Sequence, residues 1–298
     1  MGSILMVVDY AIFCGCSFTW GQGLWSYSPT KWYVPTCIEY TQENAPIPPD
    51  ADLFRIENRF AGVLQHMVPI SNVIIKRHNG GTDEESLRFI DEVKNNEVGQ
   101  ETLLTQNVPW NGVKLCVFQT TQAYRSPFKF TYKNEEYQIR ANPGFTGLTI
   151  CDKIFTNNSG HKDFVELDNY EPFLNWLVDN NLTPDDFYKI HTTQIMNKIE
   201  NKFKELEGDG IKCVLLSWTD DYLHLIKENN YLNERFVPIK YKGVSYDTIE
   251  MIIEKFNMDI MGDKTKLHDC GGDNHPSLEL HKVIAKSLYP KIKQRLDE

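Results

Sequence analysis

Residues 4–20 read ILMVVDYAIFCGCSFTW. The apolar run from Ile4 to Phe13 makes a first strand, and it ends in the small-residue turn Cys14-Gly15-Cys16-Ser17. Residues 18–27 begin a helix, and 28–50, with five prolines, read as a long surface loop. Strand, turn and helix then recur. Leu53 to Met67 carries apolar residues at 53, 56, 60, 63, 64 and 67, the spacing of a helix, and Val73 to Ile75 is a buried strand. Asn79-Gly80-Gly81 leads into Thr82-Asp83-Glu84-Glu85, a capping box that opens another helix. Lys114 to Gln119 is a third strand, Lys212 to Ser217 a fourth, and a short one lies near Phe236 to Tyr241; a final helix follows Pro276. This alternation predicts an α/β fold with a parallel sheet covered on both faces and ligands at the carboxyl ends of the strands. The first such end is Ser17.

The middle of the chain breaks the alternation. Phe128–Tyr132 and Tyr137–Arg140 alternate apolar and polar residues across Lys133–Glu136, which predicts a hairpin. Helices follow at 162–180 and 184–206, the second opened by Thr183 as cap, Pro184 at the first helical position and Asp185-Asp186 in the first turn. The reading is one domain over residues 1–298 with an insertion at about 126–207. The whole chain carries a net charge of −10, and residues 151–210 hold twice as many acidic as basic residues. A general nucleic-acid binder, which needs a basic footprint, is excluded on that balance.

With 41% hydrophobic and 24% charged residues the composition is that of a globular protein. Seven cysteines, at 14, 16, 37, 116, 151, 213 and 270, are odd in number and several lie in apolar runs, so they read as buried reduced thiols. The N-terminus lacks a basic region, Met6 stands where a myristoylation signal needs Ser or Thr, and no apolar run is long enough to span a membrane. A cytoplasmic protein without a membrane span is expected.

Two stretches carry candidate chemistry. Gly15-Cys16-Ser17-Phe18-Thr19-Trp20-Gly21 is a glycine-flanked serine in a strand-to-helix turn, which presents the hydroxyl and its own backbone N–H near a helix N-terminus. It is neither the nucleophile elbow of α/β-hydrolases nor a dinucleotide fingerprint. Near the other end stands Gly271-Gly272-Asp273-Asn274-His275-Pro276-Ser277. With Pro276 at the first helical position, His275 is expected at the cap, at the mouth of the sheet. An imidazole there takes a proton from a serine, and Asp273 holds its other nitrogen. Trp20, Trp25 and Trp32 offer a sugar-stacking or acyl-binding wall, or core; Trp218-Thr219-Asp220-Asp221 lines the site or caps a helix. His281 reads as a packing residue.

Gly-Cys-Ser-Phe-Thr-x-Gly near the start and Asp-x-His-Pro-Ser before the last helix together resemble the SGNH, or GDSL-type, hydrolases. The resemblance touches roughly the first 125 and last 35 residues. It implies a three-layer α/β/α sandwich with a flavodoxin-like parallel sheet, and it makes Ser17 the nucleophile, His275 the base and Asp273 the acid that orients it. Asp273 stands two residues before His275, where three is the commoner spacing and Gly272 occupies that place; Asp269 is the reserve. Cys16 takes the place of the usual Asp before the serine. The family's oxyanion hole uses the serine N–H, a glycine N–H of a second block, here Gly80 or Gly81, and an Asn of a third block. No Asn follows the third strand, and Gln119 or Thr120 is expected to donate instead.

The resemblance therefore implies a serine esterase that removes an acyl group, with O-acetyl foremost, from a carbohydrate or small molecule, without metal or organic cofactor. The missing Asn and the short Asp–His spacing equally suit a second reading. In it the same fold, weak or inactive in catalysis, serves as a carbohydrate-binding or structural module.

Overall fold

The computed structural model describes residues 8–21, 23–28, 48–75, 81–97, 108–139, 141–142, 149–150, 170–259 and 275–298. The expected first strand is β1 (Val8–Cys14), followed by a one-turn helix α1 (Ser17–Trp20) and a 3-10 turn at Leu24–Tyr27. Helices α2 (Pro49–Asn58) and α3 (Phe60–Met67) lead to β2 (Ile70–Ile75), α4 (Asp83–Asn95) and β3 (Val113–Thr120). The middle of the chain contains β4 (Phe128–Tyr132), β5 (Glu135–Ile139), the two-residue strands β6 (Ala141–Asn142) and β7 (Thr149–Ile150), and α5 (Tyr170–Asp179). It passes through the long α6 (Pro184–Gly208) to β8 (Lys212–Ser217). Short helices α7 (Leu223–Glu228) and α8 (Asn230–Arg235), the ribbon β9 (Ile239–Tyr241) and β10 (Val244–Tyr246), α9 (Ile249–Phe256) and α10 (Leu278–Asp297) complete the order.

Four strands form a wholly parallel sheet in the order β2-β1-β3-β8. Beside β8, Phe236 and Thr248 make isolated parallel bridges to Leu215 and Ser217, so the short strand expected near 236 is reduced to single pairings. Parallel strands covered on both faces need apolar side chains in succession, and β3 buries seven of its eight residues. Ala11, Phe13, Leu115, Val117, Val214 and Leu216 share one face and pack with Phe60 and Leu64 of α3 and with Leu280, Ile284 and Leu288 of α10. On the opposite face Phe118 meets Phe203 of α6 edge-on, with ring centroids 6.1 Å apart. Described cysteines 14, 16, 116 and 213 are buried free thiols; the Cys14 thiol and burial push Cys116 up, and burial pushes Cys213 up.

The single helix expected over residues 53–67 is two helices. Arg59 breaks it with extended backbone (φ −63°, ψ 153°), and the Phe60 N–H, which a continuous helix would spend on Ile56, donates to His281 Nδ1 at 3.2 Å. A Cβ at Gly62 would lie 2.1 Å from the Ile56 carbonyl oxygen and 2.7 Å from that of Glu57. Glycine lets α3 turn back over the last carbonyls of α2.

The chain divides into two compact units. One comprises residues 1–121 and 200–298; the other is 122–199, the counterpart of the insertion read from sequence at about 126–207. In this second unit β4 and β5 form the expected antiparallel hairpin across Lys133-Asn134, both at positive φ. It has its own core of Phe128, Phe130, Ile139, Phe173, Leu177 and Phe187. In the first unit Glu207 accepts from Arg235 Nε and Nη2 (2.8 and 2.6 Å), the Tyr231 hydroxyl (2.8 Å) and Arg295, tying α8 and α10 to the end of α6.

Candidate active site

The strand order reverses beside β1: the chain goes outward to β2 and then returns to β3 on the other side. That reversal is where open α/β sheets bind ligands, beyond the carboxyl ends of the strands. The carboxyl end of β1 runs through Gly15 and Cys16 into Ser17, the first residue of α1. Gly15 has φ 155°, and a Cβ there would lie 2.2 Å from Thr19 Oγ1 and 3.0 Å from Gln119 Cβ, so the turn closes only around glycine. Thr19 Oγ1 donates to Gln119 Oε1 at 2.8 Å, and Gln119 Nε2 donates to Cys16 Sγ at 3.2 Å. All three side chains are buried. The turn is thus held on both sides of Ser17 by one amide from β3.

This corrects the expectation for Gln119 and Thr120. The Gln119 amide is fully buried and spent on Thr19 and Cys16. Thr120 Oγ1 lies 2.6 Å from Ser217 Oγ, and Ser217 Oγ donates to the Thr219 carbonyl at 2.7 Å. With that donation made, the Thr120 proton points at Ser217. Both are positioning residues that fasten the end of the sheet, and neither side chain is turned out to an oxyanion.

His275 is half-buried, and its ring meets the edge of Phe18 with centroids 5.1 Å apart; Phe18 in turn packs on Trp218 at 4.2 Å. The approach to α10 therefore sets His275 against the residue that follows Ser17. Its position relative to the helix is a correction. Ser277, not His275, is the cap: its hydroxyl accepts from the Leu280 N–H at 3.3 Å, while Pro276 pairs with Asp259 and the Ser277 N–H donates to the Met258 carbonyl at 2.8 Å. A hydroxyl caps a helix better than an imidazole, and His275 stays in the preceding loop.

Gly81 is buried immediately before Thr82, which closes the expected capping box with Glu85 at 3.1 and 2.8 Å. Gly80, Asp273, the reserve Asp269 and Trp32 lie outside the described residues. Trp25 is buried, a core position.

Sequence reading treats Asp83 only as part of a helix start, yet it occupies the centre of this end of the sheet. Its carboxylate accepts from the Thr121 N–H just after β3 (2.9 Å) and from the Tyr222 hydroxyl just before α7 (2.8 Å). Complete burial pushes its pKa up to about 6, partly offset by those two donors. The signal was there only in part: an acid at the first position of a helix is ordinary, and its distant partners are tertiary. Half-burial and the neighbouring Glu254, Asp220 and Asp221 push Glu250 up to about 7. No group of three or more His, Cys, Asp or Glu among the described residues is placed to hold a metal ion. None of the described helices is long and apolar enough to cross a membrane. Comparison with protein-family models, curated proteins and solved structures finds no match to this chain.

Proposed function

We propose that the protein is a serine esterase of the SGNH type, its parallel sheet being the centre of a three-layer α/β/α sandwich. The observation that carries the reading is the packing of His275 against Phe18 at the carboxyl end of β1, one residue from Ser17 and beside the reversal of strand order. Ser17 Oγ attacks the acyl carbon while His275 takes its proton. The oxyanion is held by the Ser17 N–H and by Gly81 or Gly80 at the start of α4. As the intermediate collapses, the alcohol leaves with the proton from His275, and water then releases the acid by the same two steps in reverse. Asp273 holds the imidazole tautomer. The substrate is a short acyl ester, O-acetyl foremost, of a carbohydrate or small molecule.

A second reading draws on the engagement of Gln119 and Thr120. With both spent inside the sheet, the third oxyanion donor is missing from those positions, and losing one such donor costs ~10²–10³ in rate. On that reading the fold binds carbohydrate without turnover. Hydrolysis of p-nitrophenyl acetate and acetylated xylose separates the two. Esterase action predicts turnover that drops by roughly 10³-fold or more in both Ser17→Ala and His275→Ala. Turnover equal in wild type and Ser17→Ala would overturn it, and saturable sugar binding without turnover would favour the second reading.

A further inference from the structure

Strands β9 and β10 are joined through Lys242 and Gly243, both at positive φ, as a tight two-residue turn requires. Ile239 and Tyr246 lie opposite each other and are buried, so strand alternation turns Lys240 and Ser245 outward. Beside the ribbon, the Phe256 ring of α9 stands against Tyr241 and Tyr246, with centroids 5.1 and 5.8 Å away. The Lys242 and Lys255 ammonium groups lie 5.4 and 5.8 Å from the Phe256 centroid, and 5.1 and 5.3 Å from those of Tyr241 and Tyr246. Two cations therefore share one aromatic cluster. The Lys240 N–H donates to Ser287 Oγ at 2.9 Å, which sets the ribbon against α10 next to Lys286. Lys282, four residues before Lys286, projects from the same side of that helix. Lys240, Lys242, Lys255 and Lys286 are exposed and Lys282 is half-buried. None of these five ammonium groups has a carboxylate partner among the described residues, whereas nearby Lys227 takes Asp247. The exposed acids closest in sequence, Glu254 and Glu279, pair with none of them. In a chain of net charge −10 this is a local basic face whose cations are lysines. Apolar groups accompany it. Val244 beside the ribbon tip is 49% exposed, and Met251, one turn before Lys255 on α9, is 37% exposed.

We propose that this face, the β9–β10 ribbon with the adjoining sides of α9 and α10, docks on an anionic lipid surface. Lysine ammonium groups on flexible stems suit the diffuse negative potential of lipid headgroups. Nucleic-acid recognition draws instead on arginine forks and on open aromatic faces that stack bases. Here the rings of Tyr241, Tyr246 and Phe256 are occupied by one another and by Lys242 and Lys255. An acidic protein surface would leave Val244 and Met251 without a role. A bilayer uses both kinds of group, since aliphatic side chains sink below the headgroups while the ammonium groups stay at the phosphates. The face is built entirely from the first compact unit, and the proposal does not depend on Ser17 being a nucleophile.

The test is co-sedimentation of the full chain with vesicles of phosphatidylcholine, alone or with about 30% phosphatidylserine. The expected result is binding to the phosphatidylserine vesicles only, weakening steeply as sodium chloride rises from about 0.1 to 0.5 M. Each lysine near an anionic surface contributes roughly fivefold, so Lys242→Gln combined with Lys286→Gln should lower partitioning about 10- to 30-fold. Val244→Gln should lower it roughly fivefold through lost apolar burial. Lys129→Gln, exposed on β4 of the other unit, should bind as wild type does. All of these positions face solvent, so the variants keep the fold. The proposal is overturned if wild type ignores phosphatidylserine, or if the double variant binds no more weakly than Lys129→Gln. Binding to polyglutamate or to a DNA oligonucleotide but not to vesicles would equally overturn it.

Discussion

Asp83 is a fully buried carboxyl group with two donors, and its cost has a definite pH window. In the unfolded chain it loses its proton near the ordinary 3.8, and in the folded protein near 6. Below pH 4 both states are protonated and the residue is neutral in the balance. As pH rises from about 4 to about 6 the unfolded state releases the proton first, so stability falls, and above 6 the loss is constant, on the order of 3 kcal/mol. Asn at this position keeps an acceptor for the Thr121 N–H without the charge. Denaturant titrations should therefore show Asp83→Asn gaining on wild type across pH 4–6 and holding that gain to pH 8. A difference that does not change with pH would show that the carboxyl is not held protonated. The same residue shows what a sequence conceals. The turn after β1 was legible because a turn between glycines is local, and so was the Thr82–Glu85 box. Gln119 was misread because its partners, Thr19 and Cys16, are about a hundred positions away. An amide at a strand end is drawn the same whether it faces solvent or is fully engaged.

At the scale of elements, helical spacing over residues 53–67 was correct on both sides of Arg59 and blind to the break itself. What breaks the helix is a histidine from α10, which takes the Phe60 N–H, and a glycine that admits close backbone approach. Neither is a periodicity. Gly62→Ala should cost about 1–3 kcal/mol or more, because the clash is with backbone carbonyls that cannot swing aside. Thermal unfolding measures this, and a variant as stable as wild type would mean that α2 and α3 do not approach as described. The α10 cap was missed for a related reason. Pro276 and Ser277 both suit a helix start, and the pairing of Pro276 with Asp259 decides between them. Strands β3 and β8 needed no such help, since continuous apolar runs announce parallel strands buried on both faces.

For the whole molecule, the chain divides into two compact units, and the second, 122–199, falls close to the insertion at about 126–207 that the hairpin pattern and the charge suggest. The aromatic density of 122–199 is what makes the second a unit: Phe187 meets both Phe128 and Phe173 with centroids 4.9 Å away. Phe187→Ala should destabilise that unit by about 3–5 kcal/mol. Hydrogen exchange should then show faster exchange in β4, β5 and α5, while β1 and β3 keep their protection; equal loss in both sets would mean the units unfold as one. The sheet order, the Gly15 turn and the His275–Phe18 contact together support an esterase centred on Ser17, and an active-site serine reports on itself covalently. Treatment with a fluorophosphonate probe and peptide mapping is the most direct measurement. The expected result is stoichiometric label on Ser17, absent from Ser17→Ala and strongly slowed in His275→Ala; an unlabelled Ser17 in the folded wild-type protein would overturn the esterase reading.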